Sequence, residues 1–222
     1  KKAGILTAAA SISGIGYHTY RWSGVDEKRA AWFVVLLGFV YMLNIEVLDG
    51  FSREWGFSPG DLAANTAGVS LFVAQQLFWQ EQRFTLKYSF HQTPYAGARP
   101  EVLGSNLISQ MVKDYNGQTF WLSCNLHSFM PEKTRFPKWL NLAAGYGAEG
   151  MTGATGNFSA DPQFPDHPYR KFFISADVDL TRIPVRSQFL KTMLTVLNFI
   201  KIPSPSIEFN TNGKVLFHPF YY

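Results

Sequence analysis

The sequence predicts an α+β fold. An apolar helical region occupies residues 1–82, and an antiparallel, outer-membrane-barrel-like β-sheet with one amphipathic helix at 185–201 occupies residues 83–222. Three observations predict it. Near Arg83 the spacing of apolar residues changes from a helical period to strict alternation. Charged residues are 16% of the chain, against roughly 25% in soluble domains, while aromatics reach 16% with 20 Phe and 10 Tyr. Mean hydropathy is nonetheless near zero, at -0.06. A multi-span helical bundle would be far more apolar, whereas strands that alternate apolar and polar residues average out to such a value. An aromatic-rich soluble α+β protein would share these totals.

The first helix is expected over Ile5–Trp22. Lys1-Lys2 ahead of Ala3–Tyr17 also matches the charged and apolar parts of a secretory signal. No clean cleavage site follows, and the Gly14/Gly16 spacing suits close helix packing, which favours a helix. Residue 1 is Lys and not Met, so a processed or longer chain is expected, with a packing partner upstream. Ser23-Gly24 breaks this helix. The second starts near Asp26 or Glu27 and runs to Leu48. Its apolar core, Ala30–Ile45, spans about 24 Å, slightly short of a hydrocarbon core of about 30 Å. The third opens at Ser58, where Ser58 and Asp61 have capping-box spacing and Pro59 takes the first helical position. It runs to about Gln82, and Ala63, Ala64, Ala67 and Gly68 suit close packing on the second helix.

Alternation begins with Phe84, Leu86, Tyr88 and Phe90 on one face and Thr85, Lys87 and Ser89 on the other. It recurs at 120–127, 140–147 and 172–180, each run about the length of a tilted membrane strand. One face is bulky and apolar; the other is small or polar, as lipid-facing and lumen-facing surfaces require. Asn212-Gly213 predicts a two-residue hairpin between Ile207–Asn210 and Lys214–Tyr222. The terminal Phe220 and Tyr222 resemble the aromatic ending of outer-membrane barrels. Pro219 cannot donate to a ladder, so it predicts an edge or a bulge. Five or six strands are expected, fewer than the eight of the smallest membrane barrels. Between strands, Val185–Lys201 carries an apolar stripe of Val185, Phe189, Met193, Val196, Leu197 and Ile200. It is either an interfacial membrane helix or a core-facing one, and Arg186, Lys191 and Lys201, off the stripe, are the candidate lipid-binding residues. Gly147–Asp166 reads as a long exposed loop.

Net charge is +4 with scattered basic residues, which argues against nucleic acid and for anionic lipid head groups as the acidic partner. The single Cys124 excludes an internal disulfide and a multi-Cys metal site. The candidate chemical site is the joint of helices two and three. Glu46 and Asp49 lie one turn apart, as do Asp61 and Asn65, and an antiparallel hairpin would bring the four together. They would hold a hard cation, share protons, or serve structure through capping by Asp61 and pairing of Glu46 with a base such as Arg53. The structural role is preferred, so no metal and no cofactor is expected. The five histidines lack metal spacing. His91, Tyr95 and Arg99 form a loop that could meet a head group. His127 with Ser123 or Ser128 would suit an acyl hydrolase but lacks an acid.

The hairpin "EVLDGFSREWGFSPGDLAANTAG" (Glu46–Gly68) resembles the family of predicted periplasmic lipoproteins known as domain of unknown function 2279. It is more distantly similar to the VanZ-like pattern through Glu46, Ser58, Asp61, Asn65 and Gly68. "LKYSFH", "VLGSN", "KDYNGQTFWLS", "FPKWLNLAAGYGAEGMTG" and "DVDLTRIPVRSQFLK" resemble the long Bacteroidota form of that family, so the likeness covers most of the chain. The family's upstream Asp-Lys…His element is not visible: Asp26 and Lys28 are present, but Ala31 stands where a His would fall, so the element either precedes Lys1 or is lost. The resemblance implies an envelope location and no reaction. The expectation is a non-enzymatic outer-membrane component, its helical part facing the periplasm. It would be a subunit of a larger assembly, with outer-membrane lipids and other outer-membrane proteins as partners. The alternatives are a lipid- or cell-wall-modifying enzyme using the hairpin carboxylates and a VanZ-like inner-membrane protein.

Overall fold

A computed structural model describes residues 1–51, 58–131, 133–153 and 167–221, with only the backbone described at Met42, Glu46, Asp49 and Gly50. The chain is α+β and divides into two compact units, Lys1–Leu86 and Lys87–Tyr222.

The first unit is three helices: α1 (Lys2–Trp22), α2 (Glu27–Phe51) and α3 (Pro59–Trp79). Asp26 caps α2 by accepting from Arg29 N at 3.1 Å. Ser58 Oγ accepts from Asp61 N at the start of α3, with Pro59 inside it. α1 and α3 run parallel, with Lys1 against Asp61 at one end and Gln76 Nε2 donating to the Tyr17 hydroxyl at the other. α2 is antiparallel to them, since Gly16 meets Val34 and Leu37 while Gly38 meets Ser13 and Val69. Small residues let the helices approach: a Cβ on Gly68 would lie 2.4 Å from Leu6 O. The expected packing of α3's small face on α2 alone is therefore revised, because Gly68 is pressed against α1. The core is Ala9, Tyr17, Ala30, Ala31, Val34, Val69, Phe72 and Val73. The rest of α2 leaves Trp32, Leu36, Val47 and Leu48 exposed. Glu27–Ile45 is the one helical stretch among the described residues long and apolar enough, by length and composition, to cross a membrane.

The change of period at Arg83 has a local cause. Gln75 of α3 receives Arg83 N and Phe84 N on its Oε1 at 3.0 and 2.8 Å and donates from Nε2 to Phe84 O at 2.9 Å. Its amide thus satisfies the turn where the chain leaves helix for strand.

The second unit is built on a six-stranded antiparallel meander: β1 (Phe84–Phe90), β2 (Gln118–Asn125), β3 (Leu140–Glu149), β4 (Tyr169–Val178), β5 (Ser204–Asn210) and β6 (Val215–Tyr221), in that spatial order. Three short helices, α4 (Pro94–Ala98), α5 (Pro100–Leu103) and α6 (Leu107–Lys113), join β1 to β2, and α7 (Gln188–Leu197) precedes β5. The sheet is open. Among the described residues the outer edge of β1 meets a parallel bridge from Ile200 rather than β6.

Three sequence expectations change. The amphipathic helix ends at Leu197, not Lys201, because Asn198 turns inward and its Oδ1 accepts from Leu180 N at 2.9 Å. The β5–β6 turn is a three-residue loop, Thr211–Gly213, closed by Asn210 N to Lys214 O at 3.1 Å. Only Gly213 there has positive φ, so the two-residue type I′ turn is not formed. β3 continues through Glu149, so the loop expected from Gly147 begins later, and 154–166 lie outside the described residues. Pro219 falls at the predicted irregularity: the β5–β6 register jumps between Ser206↔His218 and Ser204↔Tyr221.

The small-residue packing predicts a contrast within α3. Gly68→Ala drives a methyl into backbone and lowers stability by about 1–3 kcal/mol. Gly60→Ala meets only the flexible tip of Lys2 and leaves stability unchanged or raised by up to about 1 kcal/mol. Thermal melting of both variants in one mild detergent checks this.

Candidate functional site

The sheet has its chemistry inside and its grease outside. Along β4, Lys171, Phe173, Ser175 and Asp177 are buried while Phe172, Ile174 and Ala176 alternate with them on the exposed face. Phe172 is 48% and Ile174 51% exposed. The same holds on β2, where Ser123 and Asn125 are buried and Leu122 exposed, and on β5, where Ser206 and Glu208 are buried and Ile207 and Phe209 exposed. A soluble sheet buries the opposite set.

One end of the interior holds an ionic cluster. Lys87 of β1 is 0% exposed and Asp177 of β4 1%. Lys87 Nζ lies 2.8 Å from Asp177 Oδ2 and donates to Val178 O at 2.7 Å. Ser123 Oγ donates to the same carboxylate at 2.6 Å, and Asn141 Nδ2 donates to Ser123 Oγ at 2.9 Å. Lys201, which follows α7, enters the same space. Its Nζ donates to Ser204 Oγ at 2.6 Å and Ile202 O at 2.8 Å and stands 3.9 Å from Asp177 Oδ1, which accepts no hydrogen bond. Two cations thus share one carboxylate. Burial, aided by Lys87 and opposed by Asp177, lowers the Lys201 pKa from 10.5 to about 8.

An aromatic layer comes next. Phe173 and Tyr221 have ring centres 4.4 Å apart, and Trp121 packs on both. Gly145 of β3 lies between Trp121 and Phe173 in register, and a Cβ there would come within 2.7 Å of Trp121. Trp121 Nε1 donates to Ser89 Oγ at 2.8 Å, and the Tyr221 hydroxyl shares a hydrogen bond with Thr119 at 3.1 Å. Lys201 lies over the Trp121 ring at 5.0 Å and Lys171 over Phe173 at 6.0 Å. Beyond it, Lys171 pairs with Glu149 at 2.9 Å and His218 with Glu208 at 2.9 Å. The interior is lined by side chains that largely bond one another in place of water, with Asp177 Oδ1 an exception.

Of the residues singled out in the sequence, Asp61 is buried with Lys1 Nζ 2.5 Å from its Oδ2, and Asn65 is buried one turn on. The side chains of Glu46 and Asp49 lie outside the described residues, although Asp49 belongs to α2, which continues to Phe51 past the expected end at Leu48. Among the described residues no three His, Cys, Asp or Glu side chains are grouped to hold a metal ion. Arg186 and Lys191 are exposed, but Lys201 is 1% exposed and cannot reach a lipid head group. His91, Tyr95 and Arg99 do not form a head-group loop: Tyr95 is buried with its hydroxyl 3.4 Å from Glu149, and Arg99 pairs with Glu101 at 2.5 Å. Burial and Glu149 push the Tyr95 pKa up to about 12. Ser123 serves Asp177, and Ser128 bonds Asn125 and Arg182, so neither forms a hydrolytic pair with His127. The Lys87–Asp177 partnership was missed. Its signal is one cation and one anion on the small-residue faces of two alternating strands, which must meet if those faces are buried.

Comparison with protein-family models, with curated proteins and with solved structures finds no match to this chain.

The cluster predicts unequal lysines. Lys87→Met leaves Asp177 a buried carboxylate without its close partner and destabilises by about 3–5 kcal/mol, whereas Lys201→Met removes the surplus cation and is neutral or stabilising. Between about 8 and 10.5 the unfolded chain binds more protons at Lys201 than the folded chain does, so this group makes stability rise with pH across that window. Chemical denaturation of wild type and Lys201→Met from pH 7.5 to 10.5 tests it, with the extra upward slope confined to wild type.

Proposed function

We propose that this chain is a non-enzymatic component of the bacterial outer membrane, a subunit of a larger assembly whose barrel-like sheet meets lipid tails. The inverted sheet carries the proposal. A bulky apolar face turned outward over β2 to β5 is unfavourable in water at about 25 cal/mol per Å², and lipid removes that cost. The interior supports a structural role, because Lys87, Asp177 and Lys201 are sealed from substrate by their neighbours.

Two features support assembly. β6 is an edge strand whose Val215, Leu216 and Phe217 are all exposed, a template for a further strand or partner. The apolar belt of α2 is also uncovered and suits either a partner helix or lipid. The ion pair at Asp61 supports a structural rather than catalytic use of that carboxylate. The resemblance to predicted periplasmic lipoproteins points to the same compartment.

Envelope fractionation with purification in mild detergent tests the proposal. The expected result is recovery with the outer membrane in a complex larger than the 25.1 kDa chain; recovery as a soluble monomer would refute it. At residue level, Ile174→Lys on the outer face costs about 2–4 kcal/mol if that face meets lipid and stays within about 0.5 kcal/mol if it meets water. Unfolding of the variant from lipid vesicles reads the difference.

A further inference from the structure

The segment between the buried Asp179 and Glu208 contains Arg182, Arg186, Lys191 and Lys201 and no acidic residue. Two of these cations are used inside the fold: Arg182 pairs with Asp179 at 3.1 Å, and Lys201 enters the sheet interior. Arg186, just before α7, and Lys191, within it, remain exposed.

α7 itself buries none of its residues. Phe189 is 75% exposed, and Leu190, Met193, Val196 and Leu197 beside it are exposed as well. At 100° per residue these five lie on one face, with Gln188, Lys191, Thr192 and Thr195 opposite. The helix is nevertheless held at both ends. Ser187 Oγ caps it by accepting from Leu190 N. After it, Asn198 binds Leu180 N, while Phe199 O accepts from Tyr88 N at 2.8 Å and Lys201 N donates to Tyr88 O at 2.9 Å. A fixed helix presenting apolar side chains outward, with exposed cations in a segment that carries no acidic residue, has the chemistry of an interfacial anchor.

We propose that α7 lies in the membrane interface and recognises anionic phospholipid. Its apolar face enters the acyl boundary, and Lys191 and Arg186 reach lipid phosphates. This deepens the outer-membrane reading and rests on it: the stripe continues the exposed apolar character of the sheet, and the charge selects the lipid. A protein partner would pair so cationic a segment with acidic side chains and would cover the stripe independently of lipid.

The test uses the full chain with Cys124→Ser and Met193→Cys, labelled with an environment-sensitive fluorophore. It is reconstituted into vesicles of phosphatidylcholine alone or with phosphatidylglycerol. The expected result is a probe shielded from an aqueous quencher in the anionic vesicles and exposed in the neutral ones. Arg186→Gln and Lys191→Gln each reduce the shielded-to-quenched ratio about fivefold, as does screening by salt. Equal shielding in both vesicles, unmoved by the charge variants, would overturn the proposal. So would shielding that follows protein density in the bilayer, which would signal a second copy. A parallel probe at Ile174→Cys separates the two readings: exposure of that probe to water sinks the lipid-facing sheet, whereas failure at α7 alone leaves it standing.

Discussion

The close pair of Lys87 and Asp177 is the constraint on which the sheet unit depends. Two opposite charges at 2.8 Å, each removed from water, are tolerable only when hydrogen-bonding partners surround them, although Asp177 Oδ1 itself accepts no hydrogen bond. Ser123, Asn141 and the Val178 carbonyl supply those partners from β2, β3 and β4. Burying so much polarity on one face leaves the other face of each strand to the apolar residues. The outward Leu122, Phe172, Ile174, Ile207 and Phe209 are thus the counterpart of the inward ions. Lys201 adds a second cation without a second carboxylate, and burial above all, with a smaller contribution from Lys87, lowers its pKa.

The aromatic layer determines how the ionic groups are kept apart. Trp121, Phe173 and Tyr221 separate the Lys87 cluster from the Lys171–Glu149 and Glu208–His218 pairs, and Gly145 makes room between the first two. The rings give the Lys201 and Lys171 ammonium groups a π face as well as a carboxylate. The helical unit follows a different rule, close backbone approach through Gly68 with aliphatic packing around Val34, Val69 and Phe72.

Much of the fold was legible because its signals are local. Alternation located the strands, Ser58 and Pro59 located the start of α3, and Pro219 located the bulge. Lys201 was misassigned because Ile200 continues the helical spacing beyond Leu197, while the inward turn of Asn198 depends on Leu180, a distant residue. The length of the β5–β6 loop was misjudged because Asn212-Gly213 is compatible with two turn types, and the Asn210–Lys214 pairing selects the longer. The ionic cluster was only half legible, since a cation and an anion on small-residue faces signal a pairing but not its partners. Its members come from β1, β2, β3, β4 and the segment after α7, and only strand order brings them together.

The proposed membrane placement requires hydrocarbon to lie against the apolar side of the sheet. Cys124 offers a native probe, since it shares β2 with the exposed Leu122 and alternates with the buried Ser123 and Asn125. A nitroxide attached there in lipid vesicles should collide readily with dissolved oxygen, which concentrates in the bilayer, and rarely with a water-soluble nickel chelate. Frequent collision with the chelate and little with oxygen would contradict the account.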